Sequence, residues 1–239
     1  MVVPGAGRRD EAGPDGWFDV ERFRSSTRRV VEVRRADRAT LVLGSTQPVS
    51  DVDGPACASA GVVVARRRSG GGAVLVTPPD PVWCDVWVPR DDPLWEDDVR
   101  RAPWWVGTWW ASALQGLGAT GLSAHRGAMV SGPLSEVVCF AGLGPGEVTA
   151  GGRKVVGVAQ WRCRQGALFH CAAYRRWEPS FLLGLLAPPD PPSPVAVGAL
   201  DLVAVGVDDL LGRDESPSRI VDALIGALPP GPPWLVRRD

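Results

Sequence analysis

Short β-branched segments, each closed by Gly, Pro or charge, recur along most of this chain, and they surround a single long helical pattern. VVEV (30–33), ATLVLG (39–44), GVVVA (61–65), GAVLV (72–76), VWCDVWVP (82–89), SEVVCFAG (135–142) and ALFHCAAY (167–174) all read as strands. In VWCDVWVP, Val82, Cys84, Val86 and Val88 share one face, the period-two signature of a strand against a core. GVVVA and GAVLV flank RRRSGG, which predicts a hairpin across a Gly-rich turn. GEVTAGGRKVVGVAQW (146–161) reads as another hairpin, turning at Gly151-Gly152. The helical pattern runs from Glu96 to about Gly116, with a kink or restart at Pro103. Its Trp105, Trp109, Ala113 and Leu114 recur at helical spacing and read as a core face rather than a ligand wall. Strands gathered around one helix, rather than alternating with helices, predict an α+β fold with a mixed, mainly antiparallel sheet and packed helices.

The organisation follows. Residues 1–16 read as a flexible tail, 17–187 as one domain opening with a short helix over Trp17–Arg24, and PPDPPSP (188–194) as a linker reached by a helix over Pro179–Leu186. Residues 195–239 read as a helical extension packed on the same domain, with Ser216 capping a helix that opens at Pro217. Ile220, Val221, Leu224, Ile225 and Leu228 form its apolar stripe.

Composition excludes several classes. With 239 residues, 45% hydrophobic and 22% charged, the chain can bury a full core. A net charge of -1 argues against nucleic-acid binding by bulk electrostatics. Five cysteines without a C-x-x-C pair make neither a disulfide framework nor a zinc site, which points to a reducing cytoplasm. The N-terminus has no apolar signal-peptide core. The uncharged stretch 102–124 carries Thr108, Ser112, Gln115 and Ser123, unlike a membrane span.

Three segments carry chemistry. In RRRSGGGAV (66–74), three consecutive glycines let backbone N–H groups approach a phosphate or a thin acyl chain, and the arginines supply forked donors. A solvated surface hairpin would share that composition. Lys154, in GRKVVGVAQ (152–160), is the only lysine among 26 basic residues. An ammonium is a compact point charge, so a lone lysine in an arginine-rich chain points to a role arginine cannot fill. Cys139, in VVCFAG, could serve as a nucleophile beside a cation or as a small buried apolar residue. GLGPGE (142–147) lacks the spacing of a dinucleotide turn.

In order along the chain, LVLGSTQ (41–47), RRRSGGGAV, the helix after WEDDV, the Cys139-Phe140 pair, GRKVVGVAQ and the strand with His170 resemble the catalytic domain of the lipoate–protein ligase, octanoyltransferase and biotin–protein ligase family. The resemblance spans about residues 39–186. It implies the antiparallel α+β fold shared with class II aminoacyl-tRNA synthetases and biotin ligases. It implies that Arg67 or Arg68, with Ser69, Gly70, Gly71, Gly72, Ala73, Gly157 and Ala159, binds the acyl group or acyl adenylate. It implies that Lys154 is the essential lysine. A ligase would use ATP and Mg2+, with Glu147 a loose stand-in for the metal ligand, to activate lipoate or octanoate for attachment to a carrier lysine. A cysteine-dependent octanoyltransferase would need no cofactor, carry the acyl group on Cys139 and draw it from acyl carrier protein. The acceptors implied are lipoyl domains of 2-oxoacid dehydrogenases or the glycine cleavage H protein. Val76 stands where the family often has His, His170-Cys171 replaces a His-Gly pair, the chain has no Asn, and 195–239 is too short for a ligase's extra C-terminal domain. The last two departures weaken the ATP-dependent route and leave open a transferase, a ligase with a separate partner chain, or a relative that binds without turnover; the lipoate–protein ligase reading leads, because ligases are the broadest part of the family, with the Cys139 octanoyltransferase close behind.

Overall fold

The computed structural model describes residues 19–188 and 193–238; the expected tail (1–16), the start of the first expected helix and residues 189–192 of the linker lie outside the described residues. Among the described residues ten strands form two sheets. The large sheet contains β1 (Val30–Arg34), β5 (Val82–Pro89), β6 (Leu122–Ala124), β7 (Val148–Ala150), β8 (Arg153–Cys163), β9 (Gly166–Ala173) and β10 (Leu235–Arg238), in the order β10-β1-β5-β9-β8-β7-β6. All its neighbours are antiparallel except β10, which runs parallel to β1. The small sheet contains β2 (Thr40–Leu43), β3 (Val63–Arg66) and β4 (Val74–Val76), in the order β3-β2-β4.

The helices are α1 (Glu21–Arg24), α2 (Gly54–Ser59), α3 (Trp104–Gly116), α4 (Pro179–Leu183), α5 (Pro194–Val203), α6 (Val207–Leu211) and α7 (Pro217–Gly226). One face of the large sheet, including Val82, Cys84, Val86 and Val88, packs against Val106, Trp109 and Trp110 of α3 and Ile220, Val221 and Leu224 of α7. The tryptophans of α3 are thus core, and Trp109 donates its indole N–H to the Leu224 carbonyl at 2.8 Å. Ser216 caps α7 by accepting from the Arg219 N–H at 3.2 Å. On the opposite face, Trp83, Ala172 and Tyr174 pack against Val42, Val74 and Val76 of the small sheet and against Phe140.

Four expectations are corrected. First, β3 and β4 do not form a hairpin: β2 lies between them, parallel to β3 and antiparallel to β4. The Gly-rich segment between them is a long crossing loop held to β2, not a tight turn. Second, SEVVCFAG is not a strand. The N–H groups of Val137 and Val138 both bond back to the Leu134 carbonyl, and Cys139–Ala141 form a 3-10 turn. Only the bridge between Ala73 and Val138 remains of strand pairing there. Third, residues 96–103 form turns, and α3 begins at Trp104 directly after Pro103, a residue better suited to starting a helix than to its interior. Fourth, the C-terminal segment is not wholly helical, since β10 closes the edge of the large sheet.

Candidate active site

The Gly-rich loop is built from inside. Arg67 is 2% exposed and its guanidinium donates to the loop's own carbonyls, Gly70 at 2.8 Å and Gly72 at 2.9 Å, and to Val42 at 3.2 Å. Burial draws its pKa below the usual guanidinium value, against the opposing influence of Cys139 and Glu147. Arg66 donates to the carbonyls of Gly44 and Gln47 at 2.6 and 2.7 Å. The bend then lies against Val137 and Val138: a Cβ at Gly72 would come within 2.6 Å of the Val138 nitrogen. Gly71 has φ +97, a conformation side chains rarely adopt, and a Cβ there would lie 3.7 Å from Cys139 Sγ. Ala73 completes the seam, donating to the Val137 carbonyl and accepting from the Cys139 N–H at 3.0 Å.

Lys154 comes from β8 on the other side. It is 2% exposed, and its Nζ donates to the Cys139 carbonyl at 2.8 Å and the Gly142 carbonyl at 3.1 Å. Its ion-pair partner is Glu147, 2.7 Å away. The ammonium also lies over the Phe140 ring, 4.9 Å from its centroid, a cation–π contact. Gly157 makes room behind it, where a Cβ would meet Phe140 at 3.2 Å.

These groups meet in a cavity of about 440 Å³ lined by Gly70, Gly71, Gly72, Cys139, Glu147, Lys154 and Ala159. Arg67, Ser69, Ala73 and Gly157 stand behind its wall, and Arg68 is exposed. Sequence reasoning missed Val99, Arg100, Met129 and Ser135, which also line it; no pattern marks them, because turns bring them there. It also missed Gly44, whose missing Cβ lets the Gly71 carbonyl pass. The signal was present in LVLGSTQ, where a glycine ends a β-branched run.

The residues do not fit a divalent metal at Glu147. One carboxylate oxygen accepts from Lys154 and from the Val158 N–H at 3.1 Å, and the other from the Gly144 N–H at 2.6 Å. An adjacent ammonium repels a second cation. No cluster of three or more His, Cys, Asp or Glu suited to a metal occurs among the described residues. All five cysteines are free, with Cys139 half-buried.

A second buried charge cluster lies in the large sheet. Glu32, Asp85 and His170 are cross-strand neighbours on β1, β5 and β9, with Arg237 of β10 at one end of the row and Ala159 of β8 at the other. Asp85 accepts from His170 Nδ1 at 2.6 Å, Trp83 Nε1 at 2.9 Å and Arg34 Nε at 3.0 Å. Burial raises the Asp85 pKa, but His170, Arg34 and Trp83 outweigh it and hold the carboxyl down at about 2. Arg34 also pairs with Glu32 at 3.3 Å.

Comparison with known proteins identifies the family and the fold. The model of the lipoyl protein ligase A/B catalytic domain matches residues 23–228. A bi-partite lipoate protein ligase from Thermoplasma acidophilum, described with its E2 lipoyl domain, shares the fold with TM-score 0.66 at 20% identity, over 88% of this chain and 74% of that one. A lipoate-protein ligase A bound with ATP has TM-score 0.62 at 20% identity, over 83% and 70%. P. falciparum LipL1 in complex with lipoate has TM-score 0.57 at 16% identity, over 87% and 53%. No curated protein matches significantly in sequence. Among the described residues no helix is long and apolar enough to cross a membrane.

Proposed function

We propose, since the chain belongs to the lipoyl protein ligase A/B catalytic-domain family, that it attaches a lipoyl or octanoyl group to the ε-amino group of a lysine on a lipoyl carrier domain. The observation that carries this reading is the convergence of the Gly70–Gly72 bend and Lys154 on one cavity. Attack on an activated acyl carbonyl drives negative charge onto its oxygen, and a fixed ammonium stabilises charge that develops there. Glu147 and two carbonyls hold Lys154 against the wall, so little reorganisation is needed as the charge appears. The side-chain-free bend leaves room for the acyl chain and its backbone amides. The carrier lysine, as the neutral amine, adds to the carbonyl, the leaving group departs with the bonding electrons, and the proton the nitrogen loses is taken up by the leaving group or water.

In the lipoate–protein ligase form of this reaction the activated donor is an acyl adenylate made from ATP, a reading supported by the lipoate- and ATP-bound fold neighbours. A second reading is favoured by one contact: Cys139 Sγ lies beside Gly71 in the same cavity as Lys154. There the Cys139 thiolate attacks an octanoyl thioester and releases the donor as its thiolate, which takes up a proton; the neutral carrier amine then displaces the Cys139 thiolate, and the proton the amine loses passes to that thiolate. The reading places the protein in the cytoplasm, where free cysteines persist.

The deciding experiment incubates the protein with octanoyl-acyl carrier protein and measures intact mass. An octanoyl adduct that Cys139→Ser abolishes establishes the thioester route. Lipoate- and ATP-dependent pyrophosphate exchange without an adduct establishes the adenylate route. Failure of both, together with no acylation of any lipoyl domain, would overturn the proposed function.

A further inference from the structure

Lys154 stands where an amine is a hazard. It lines the same cavity as Cys139 and the Gly70–Gly72 bend, so a primary amine of the protein itself faces the activated acyl group. In its neutral form that amine would compete with the acceptor lysine. Its Nζ would attack the acyl carbonyl, a C–N bond would form, and the bond to sulfur or to the adenylate oxygen would break. The leaving group would carry off the bonding electrons, and the proton lost by nitrogen would pass to it or to water. The amide so formed would cost the site its ammonium, in a chain where Lys154 is the only lysine among 26 basic residues.

The surroundings of Lys154 withhold that reaction. An ammonium has three donors and no lone pair. Three protein acceptors meet it: Glu147 at 2.7 Å, the Cys139 carbonyl at 2.8 Å and the Gly142 carbonyl at 3.1 Å. Of these only Glu147 carries charge, and its own oxygens are fixed by the N–H groups of Gly144 and Val158. Lys154 is 2% exposed and Glu147 4%, so water offers neither ion a substitute partner. Loss of the proton from Nζ would leave a buried carboxylate without its counter-charge, which is costly.

We propose that Glu147 guards Lys154 against acylation by the protein's own substrate. The ion pair leaves the charge of Lys154 available to an acyl oxygen and withholds its nitrogen as a nucleophile, so the acyl group passes to the acceptor lysine alone. The two carbonyls cannot do this by themselves, since they accept equally from a neutral amine, which keeps two N–H donors. Glu147 is therefore a positioning residue that acts through Lys154 and sets which amine is acylated. The inference rests on the proposed acyl transfer and adds the fate of the protein's own lysine.

The test measures the intact mass of the full chain, wild type and Glu147→Gln, after incubation with octanoyl-acyl carrier protein or with lipoate and ATP. Hydroxylamine then strips thioesters and acyl adenylates, and peptide mapping locates any acyl group that remains. The wild type is expected to carry none on Lys154. Glu147→Gln is expected to gain one there about tenfold or more faster, because a neighbouring opposite charge typically changes the neutral fraction of an amine by that much. A merely structural role would lower transfer without creating this amide. A folded Glu147→Gln that acylates a lipoyl carrier domain and never itself would overturn the inference. A second measurement needs no variant: ε-15N-lysine labelling gives one side-chain signal, that of Lys154, expected at the shift of an ammonium at the pH of the transfer assay. A neutral amine there would also overturn the inference. Octanoyl N-hydroxysuccinimide ester supplies an activated donor that needs no enzyme chemistry, with the α-amino group as the reference in both proteins. Equal acylation of Lys154 by this ester in the two folded proteins, or none in either, would overturn the guard. Acylation in Glu147→Gln and not in the wild type, with no carrier acylated from either donor, would keep the guard and sink the transfer reading instead.

Discussion

Two clusters of buried charge lie one strand apart in this molecule and differ in their access to a cavity. In the row through Glu32, Asp85 and His170, each group faces partners on neighbouring strands, and the row stops at Ala159, which has no polar group to extend it. In the other cluster, Lys154 and Glu147 are as deeply buried but line a cavity. Burial and pairing alone therefore do not mark a reactive site. The difference is access: sealed charges act on register and stability, whereas charges on a cavity wall are available to a developing charge in a ligand.

Four measurements break or sharpen this comparison. Lys154→Ala should lower acyl transfer by a factor of about 100 or more, the typical cost of losing one well-placed oxyanion partner. Near-normal transfer in that variant, measured per folded molecule, would remove Lys154 from the reaction, whereas unchanged acyl-ligand affinity with no acyl product from any donor would favour a relative that binds without turnover. Asp85→Asn should cost about 3 kcal/mol of stability in urea unfolding, because it removes the buried charge that Arg34 and His170 both face and leaves Arg34 to Glu32 at 3.3 Å. Transfer per folded molecule should fall less than threefold, and a larger loss would show that the row does reach the cavity.

Acid should expose the same difference. The Asp85 carboxyl is held at about 2 in the fold, against an ordinary value of 3.8. A depressed folded value gives stability that is fully present above the ordinary value and lost as pH falls from about 4 towards 2. The loss should be about 2 kcal/mol in denaturant midpoints taken across that window, and it should shrink in Asp85→Asn. Arg237→Ala should have the smallest effect. Its contact with Glu32 spans 3.4 Å with the arginine 38% exposed, so thermal unfolding should report less than about 1 kcal/mol.

Much of the architecture was legible because apolar periodicity is local. Val82, Cys84, Val86 and Val88 do share a core face, Gly151 and Gly152 do turn a hairpin at φ +56 and +81, and Ser216 does cap its helix. The candidate site was legible in part. The lone lysine, the glycine triplet and Cys139 stand out as residue types, and they meet in one cavity. Arg67 was misleading, because an arginine beside glycines has the same letters whether it binds a ligand or its own loop. Gln47 carries no local pattern, since only the surrounding fold leaves its Oε1 without a donor.

By itself the sequence determined where strands and helices could form, and it singled out an ammonium and a side-chain-free bend as the candidate chemistry. Tertiary structure decided which strands became neighbours, placing β2 between β3 and β4 and adding β10 at the edge. It also turned Arg67 inward, gave Glu147 to Lys154, and sealed one charge cluster while leaving the other on a cavity. The physical reason is range. Side-chain alternation and capping act over a few residues of chain, whereas strand pairing, desolvation and cavity walls depend on segments far apart in sequence that meet only once the core has packed.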